Sequence, residues 1–150
     1  MTKGERAREL FLSGYNCAQA VAGAFCEEMN MDLKLVVRTV SPFGGGFGRS
    51  REVCGTVSGM MFVLGNLFGY DAPDDYDGKK KLYREARELI DAFKRDNGSI
   101  ICRELLGIEG KDSSSAPLRR TDEYYKKRPC PELCAYAADL LDDFIRKTDS

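Results

Sequence analysis

Residues 77–96 read DGKKKLYREARELIDAFKRD, and their apolar members Leu82, Ala86, Leu89, Ile90 and Phe93 fall on one face at helical spacing. Asn97-Gly98 closes this amphipathic helix. Reading upstream, an apolar helix opens at Ser50 or Arg51 and reaches about Phe68, where Gly69 and the Asp- and Pro-containing residues 71–77 stop it. Residues 43–48 form a glycine loop. Before it come a helix over residues 2–12, a second from Cys17 to about Met29 with Asn16 as its cap, and a short one from Asp32 to about Val40. Downstream, Ser99 caps a short helix that contains Cys102 and ends near Gly107. Residues 108–120 are a polar, serine-rich loop, and Tyr124-Tyr125-Lys126-Lys127 reads as a partly exposed helix. The last helix runs from Cys130-Pro131 to about Lys147, with Leu133, Ala137, Leu140, Leu141 and Phe144 inward. No stretch alternates with period two. The expectation is an all-α, compact single-domain bundle of about six or seven helices, residues 1–150 forming one domain.

Composition narrows the chemistry. The chain has 150 residues and a net charge of −1, with acids and bases interleaved, so it lacks the basic face that nucleic acid or a membrane surface requires. The most apolar stretch, Val53 to Leu67, is broken by glycines and too short for membrane insertion. The amino terminus is charged and has no apolar signal core, so the expected location is cytoplasmic, where thiols stay reduced. There is no histidine, which removes imidazole acid–base catalysis, imidazole-ligated zinc and histidine-ligated haem. Adjacent acids such as Glu27-Glu28 and Asp142-Asp143 diverge around a helix and read as solvated surface.

Six cysteines remain. Cys17, Cys54, Cys102 and Cys130 each fall at the start of a different expected helix. A helix amino terminus stabilises a thiolate, the reactive and metal-binding form. Free cysteine also behaves as a small buried hydrophobe, so position alone leaves open whether the four meet. No Cys-x-x-Cys pair is present, and the common zinc-ribbon, thioredoxin and bacterial ferredoxin spacings are absent. Cys26 lies about half a turn around the helix from Cys17 and reads as packing. Cys134 shares a face with Cys130 and reads as packing or as a spare or resolving thiol. The glycine loop has two readings. One is a phosphate cradle helped by Arg49 or Arg51, but no Walker lysine or dinucleotide fingerprint accompanies it. The favoured one is close backbone approach by Gly45 and Gly46 to whatever Cys54 binds, with Gly55 and Gly59 continuing the smooth surface.

Together, Asn16-Cys17-Ala18-Gln19-Ala20, Gly44-Gly45-Gly46-Phe47-Gly48 and Cys54-Gly55-Thr56-Val57-Ser58-Gly59 resemble the redox-active C_GCAxxG_C_C family. Cys102-Arg103-Glu104-Leu105-Leu106-Gly107 and Cys130-Pro131 before Ala137-Ala138-Asp139-Leu140-Leu141 extend the resemblance to about residues 6–145. Thr56 stands where the family motif usually has alanine. The resemblance implies a helical protein in which Cys17, Cys54, Cys102 and Cys130 act together, with Gly45, Gly46 and Gly55 close by. An iron–sulfur cluster is the implied group, and an oxidoreductase or other redox protein the implied partner. A metal-free thiol–disulfide protein and a structural or storage zinc module use the same four residues. A homodimer stays open. No general acid, base or substrate pocket is identifiable, so no enzyme class is assigned.

Overall fold

The computed structural model describes residues 1–107 and 129–149; the expected serine-rich loop and the helix at 124–127 lie outside the described residues. The architecture is all-α, with α1 (Lys3–Leu12), α2 (Cys17–Gly23), α3 (Cys26–Met29), α4 (Leu33–Val40), α5 (Gly55–Phe68), α6 (Tyr76–Asn97), α7 (Cys102–Leu106) and α8 (Cys130–Asp149). Between α4 and α5 the chain makes a 3-10 turn, Ser41–Phe43, and a glycine turn, Gly44–Phe47. Among the described residues there is no strand, only an isolated antiparallel bridge between Val53 and Ile101.

The α2 sequence CAQAVAG is small and apolar on nearly every side, the signature of a helix buried all round. Ala18, Ala20, Val21 and Ala22 are fully buried, and α2 packs against α5, α1 and α4. It reaches α5 so closely because two glycines face it. A Cβ on Gly59 would lie 2.9 Å from the Ala18 carbonyl oxygen, and one on Gly55 would lie 3.0 Å from the Ala18 nitrogen and from Cys17 Cβ. α1 lies along α8, where Asp139 accepts a hydrogen bond from the Gly4 N–H at 2.8 Å and so caps α1 from the far end of the chain. Phe11, Phe25 and Phe93 fill the core, each side chain contributing about 1.5–3 kcal/mol by its burial. α6 packs chiefly along α5 and α8 among the described residues. Only Leu89 and Phe93 of its apolar face are therefore fully buried, while Leu82, Ala86 and Ile90 are partly covered.

Three boundaries differ from the expectation. α7 is preceded by Ile101 with no side-chain cap, so Ser99, whose hydroxyl accepts from the Ile101 N–H, does not cap it. The helix expected over 17–29 is interrupted after Gly23, a residue of low helix propensity, and Phe25 (φ −113°, ψ 21°) turns its ring into the core before α3 begins. The apolar helix starts at Gly55, not at Ser50 or Arg51. Arg49 and Arg51 have φ of 66° and 60°, and the backbone from 51 to 54 is bonded to residues 100–103 instead of to a helical turn.

Asn16 begins α2 with a capping box: its side chain accepts from the Gln19 N–H, and Gln19 accepts from the Asn16 N–H, both at 3.0 Å. Asn16 also donates to the Ser41 carbonyl at 3.0 Å, and Gln19 to the Val37 carbonyl at 2.9 Å, tying the start of α2 to the end of α4. Asn16→Ala is expected to destabilise the chain by about 1–2 kcal/mol. A urea transition with a lower midpoint and unchanged slope would show this, and an unmoved midpoint would contradict it.

Candidate functional site

Cys17, Cys54, Cys102 and Cys130 line one cavity of about 60 Å³, together with Gly45, Gly55 and Arg51 and with apolar walls from Phe11, Leu105, Leu106 and Leu133. Each cysteine sits at a helix start. Cys17, Cys102 and Cys130 are first residues of α2, α7 and α8, and Cys54 is the cap residue of α5.

Local backbone bonding explains how they meet. Residues 51–54 and 100–103 run antiparallel: the Cys54 N–H donates to the Ile100 carbonyl at 2.7 Å, the Cys102 N–H to the Glu52 carbonyl at 2.6 Å, and the Arg103 N–H to the Arg51 carbonyl at 3.2 Å. This ladder sets Cys54 beside Cys102. The Gly55 approach sets Cys54 beside Cys17. Cys130 of α8 lines the same cavity, and the Cys130 and Cys134 thiols both act on the Cys17 thiol.

The glycine turn holds this arrangement from one side. Gly45, Gly46, Phe47, Gly48 and Arg49 all have φ between 62° and 69°, a run of left-handed backbone. Such geometry costs roughly 1–2 kcal/mol at each non-glycine residue, here Phe47 and Arg49. Hydrogen bonds from Gly48 N to the Gly44 carbonyl (3.0 Å), Arg51 N to Gly45 (3.1 Å) and Glu52 N to Gly46 (3.1 Å) offset it, as does the edge-to-face contact of Phe43 and Phe47. The close approach made by Gly46 is to Cys102 and not to Cys54: an added Cβ would lie 2.8 Å from Cys102 Cβ and 2.6 Å from the Glu52 nitrogen. Gly45 lines the cavity itself.

Burial opposes the charge-stabilising effect of the helix starts. Burial foremost pushes the Cys54 thiol up from 9.0 to about 11, although the hydroxyl and N–H of Thr56 pull it down. The Thr56 hydroxyl lies 3.1 Å from Cys54 Sγ, so the residue that departs from the family motif places a polar partner on a site sulfur. For Cys17 the largest influence, the Cys130 thiol, lowers the pKa, but Cys134 and burial outweigh it and leave the thiol well above its usual value. The chain without a bound group therefore keeps both protonated at neutral pH.

Arg51 is a site residue that sequence reasoning considered only for phosphate. It is 6% exposed, lines the cavity, and its Nη1 lies 3.7 Å from Cys102 Sγ. The sequence signal was an arginine three residues before Cys54, between the glycine turn and the apolar helix. Cys134 is the second. It is completely buried, and its thiol acts on that of Cys17. Cys26 is elsewhere, in a pocket beside Met1, Lys3 and Arg6, in keeping with its reading as packing. Of the acidic pairs, Glu28 meets Lys3 at 2.6 Å and Asp142 meets Arg146 at 3.0 Å.

Residues 15–144 match the family model described as "Putative redox-active protein (C_GCAxxG_C_C)". The chain belongs to this family. No curated protein and no solved structure matches it. The family span runs from just before the cap of α2 into the last turns of α8, so it encloses all four cavity cysteines. No helix among the described residues is long and apolar enough to cross a membrane.

Gly46→Ala should destabilise the protein by more than about 2 kcal/mol, combining left-handed strain with overpacking against backbone. Its melting temperature should fall by at least roughly 4 °C. A melt superimposable on that of the parent would refute the close approach to Cys102.

Proposed function

We propose that the four-cysteine cavity holds an iron–sulfur cluster and that the protein exchanges electrons with an oxidoreductase or other redox protein. The observation that carries this reading is that four cysteines from four helix starts, distant in sequence, line a single cavity. The donor set fits: soft thiolates suit iron–sulfur chemistry, and four suffice for a two-iron or a four-iron cluster. Without histidine, a Rieske-type centre is excluded. Among the described residues no three Cys, Asp or Glu side chains converge so as to hold a single metal ion.

When bound, the cluster supplies one-electron chemistry. The chain's own residues do the rest. Cys17, Cys54, Cys102 and Cys130 act as ligands, giving up their protons on loading. Arg51 places a fixed positive charge beside Cys102 and offsets part of the anionic charge that four thiolates bring into a buried site. The Thr56 hydroxyl lies 3.1 Å from the Cys54 sulfur and would donate to it once that sulfur is ionised, tuning its basicity. Phe11, Leu105, Leu106 and Leu133 restrict water. The cytoplasm, where thiols stay reduced, is the setting this chemistry favours.

A second reading, metal-free thiol–disulfide exchange, is favoured by the gathering of Cys17 and Cys130 at one cavity with free thiols. Visible absorption separates the two. In protein purified without oxygen, Cys54→Ser should abolish the charge-transfer bands, while Cys26→Ser should keep them and cost only modest stability. Equal spectra and metal content in the two variants would sink the four-cysteine assignment.

A further inference from the structure

We propose that Arg51 raises the reduction potential of the site: its guanidinium, held at the cavity wall against Cys102, favours the more negative, reduced state of the bound group. The inference rests on the proposed cluster and names the side chain that regulates it. Three observations lead to it. Arg51 lines the cavity, is 6% exposed, and brings Nη1 to 3.7 Å from Cys102 Sγ. Its backbone is left-handed, with φ of 60°, a conformation that an L side chain adopts only at a cost in free energy. Hydrogen bonds on both sides hold it there. The Arg51 N–H donates to the Gly45 carbonyl at 3.1 Å, and the Arg51 carbonyl accepts from the Arg103 N–H at 3.2 Å and from Arg103 Nη1 at 3.3 Å. Third, the glycine turn leaves room for it: a Cβ on Gly46 would lie 2.8 Å from Arg51 Cα, and one on Gly45 would lie 3.8 Å from Nη1. Backbone strain that the surroundings hold in place is a mark of functional sites. Here it puts one positive charge into the cavity. Arg49 is the contrast, since it shares the left-handed backbone, with φ of 66°, but does not line the cavity. Arg103 is the other neighbour, and its charge is met by Glu52 at 3.2 Å.

The direction follows from charge. One electron taken from the redox partner adds one negative charge to a cavity already lined by four thiolates, and the same electron is later returned to a partner. A fixed positive charge beside Cys102 stabilises the reduced state more than the oxidised one, so it raises the potential. No bond is made or broken at Arg51 and no proton leaves it, because a guanidinium stays charged throughout the working pH range. Burial also keeps the attraction from being screened by salt, unlike that of a charge on the surface.

The test is a redox titration, followed by visible absorption, of the full-length loaded chain and of Arg51→Gln, Arg51→Lys and Arg49→Gln. Glutamine keeps an unbranched stem and an N–H donor and removes the charge. Arg51→Gln should shift the equilibrium at least tenfold toward the oxidised form, a fall of about 59 mV for one electron. That shift should persist from low salt to about 1 M salt. Arg51→Lys, which keeps a charge, should restore most of the potential, and Arg49→Gln should stay close to the parent. Equal potentials in Arg51→Gln and the parent would overturn the proposal, as would an equally large shift in Arg49→Gln. Should Arg51→Gln fail to fold or load, Arg51→Lys decides. A loaded lysine variant at the parent potential supports the role of charge, and one that also fails, or that shifts tenfold toward the oxidised form, overturns it. The two readings fail differently: a parent that takes up no iron and sulfide sinks the cluster and this inference together, whereas a loaded parent indifferent to Arg51 sinks this inference alone.

Discussion

The contact between α2 and α5 governs the molecule. Gly55 and Gly59 leave no space for a side chain, so the two helices approach until backbone meets Cβ, and the starts of both helices come side by side. Cys17 and Cys54 occupy those starts. The rest of the site is attached to this pair. The short antiparallel ladder of residues 51–54 with 100–103 adds Cys102, and the packing of α8 on α1 and α2 adds Cys130. Close packing of this kind transmits displacement, since protein interiors have few voids to absorb it. A methyl group at Gly55 therefore acts on the sulfur positions without touching any sulfur.

Electrostatics and burial pull in opposite directions here. Helix starts favour thiolates, yet Cys54 rises to about 11 because it is taken out of water among other thiols. On the proposed reading, the thiols ionise when a cation or cluster joins them. Arg51 already stands at the cavity with its charge near Cys102. A buried guanidinium in a thiol-lined cavity is costly for an isolated fold and useful for one that receives an anionic group.

Much of this was legible in the chain. The period of 3.6 residues gave an all-α fold, and Asn16 announced the start of α2 because its cap depends on local geometry alone. Cys26 and Cys17 do line separate pockets, but the sorting assumed one continuous helix, and the two cysteines stand on separate helices, α3 and α2. What escaped was non-local. The true start of α5 depends on residues 100–103, far along the chain, and on left-handed backbone at Arg49 and Arg51 that residue type opposes. Gly46 was recognisable as a close approach, but its partner Cys102 was not. Cys134 read as packing or as a spare or resolving thiol because its position relative to Cys130 was visible, while its influence on Cys17, from the opposite end of the chain, was not.

The most direct test of the account is the iron and acid-labile sulfide content, per chain, of the unsubstituted protein purified without oxygen. Iron and sulfide in equal, cluster-sized amounts are predicted, in a brown protein whose colour bleaches on oxidation. Colourless protein without iron, or zinc as the sole metal, would contradict the claim that these four cysteines hold an electron-carrying cluster.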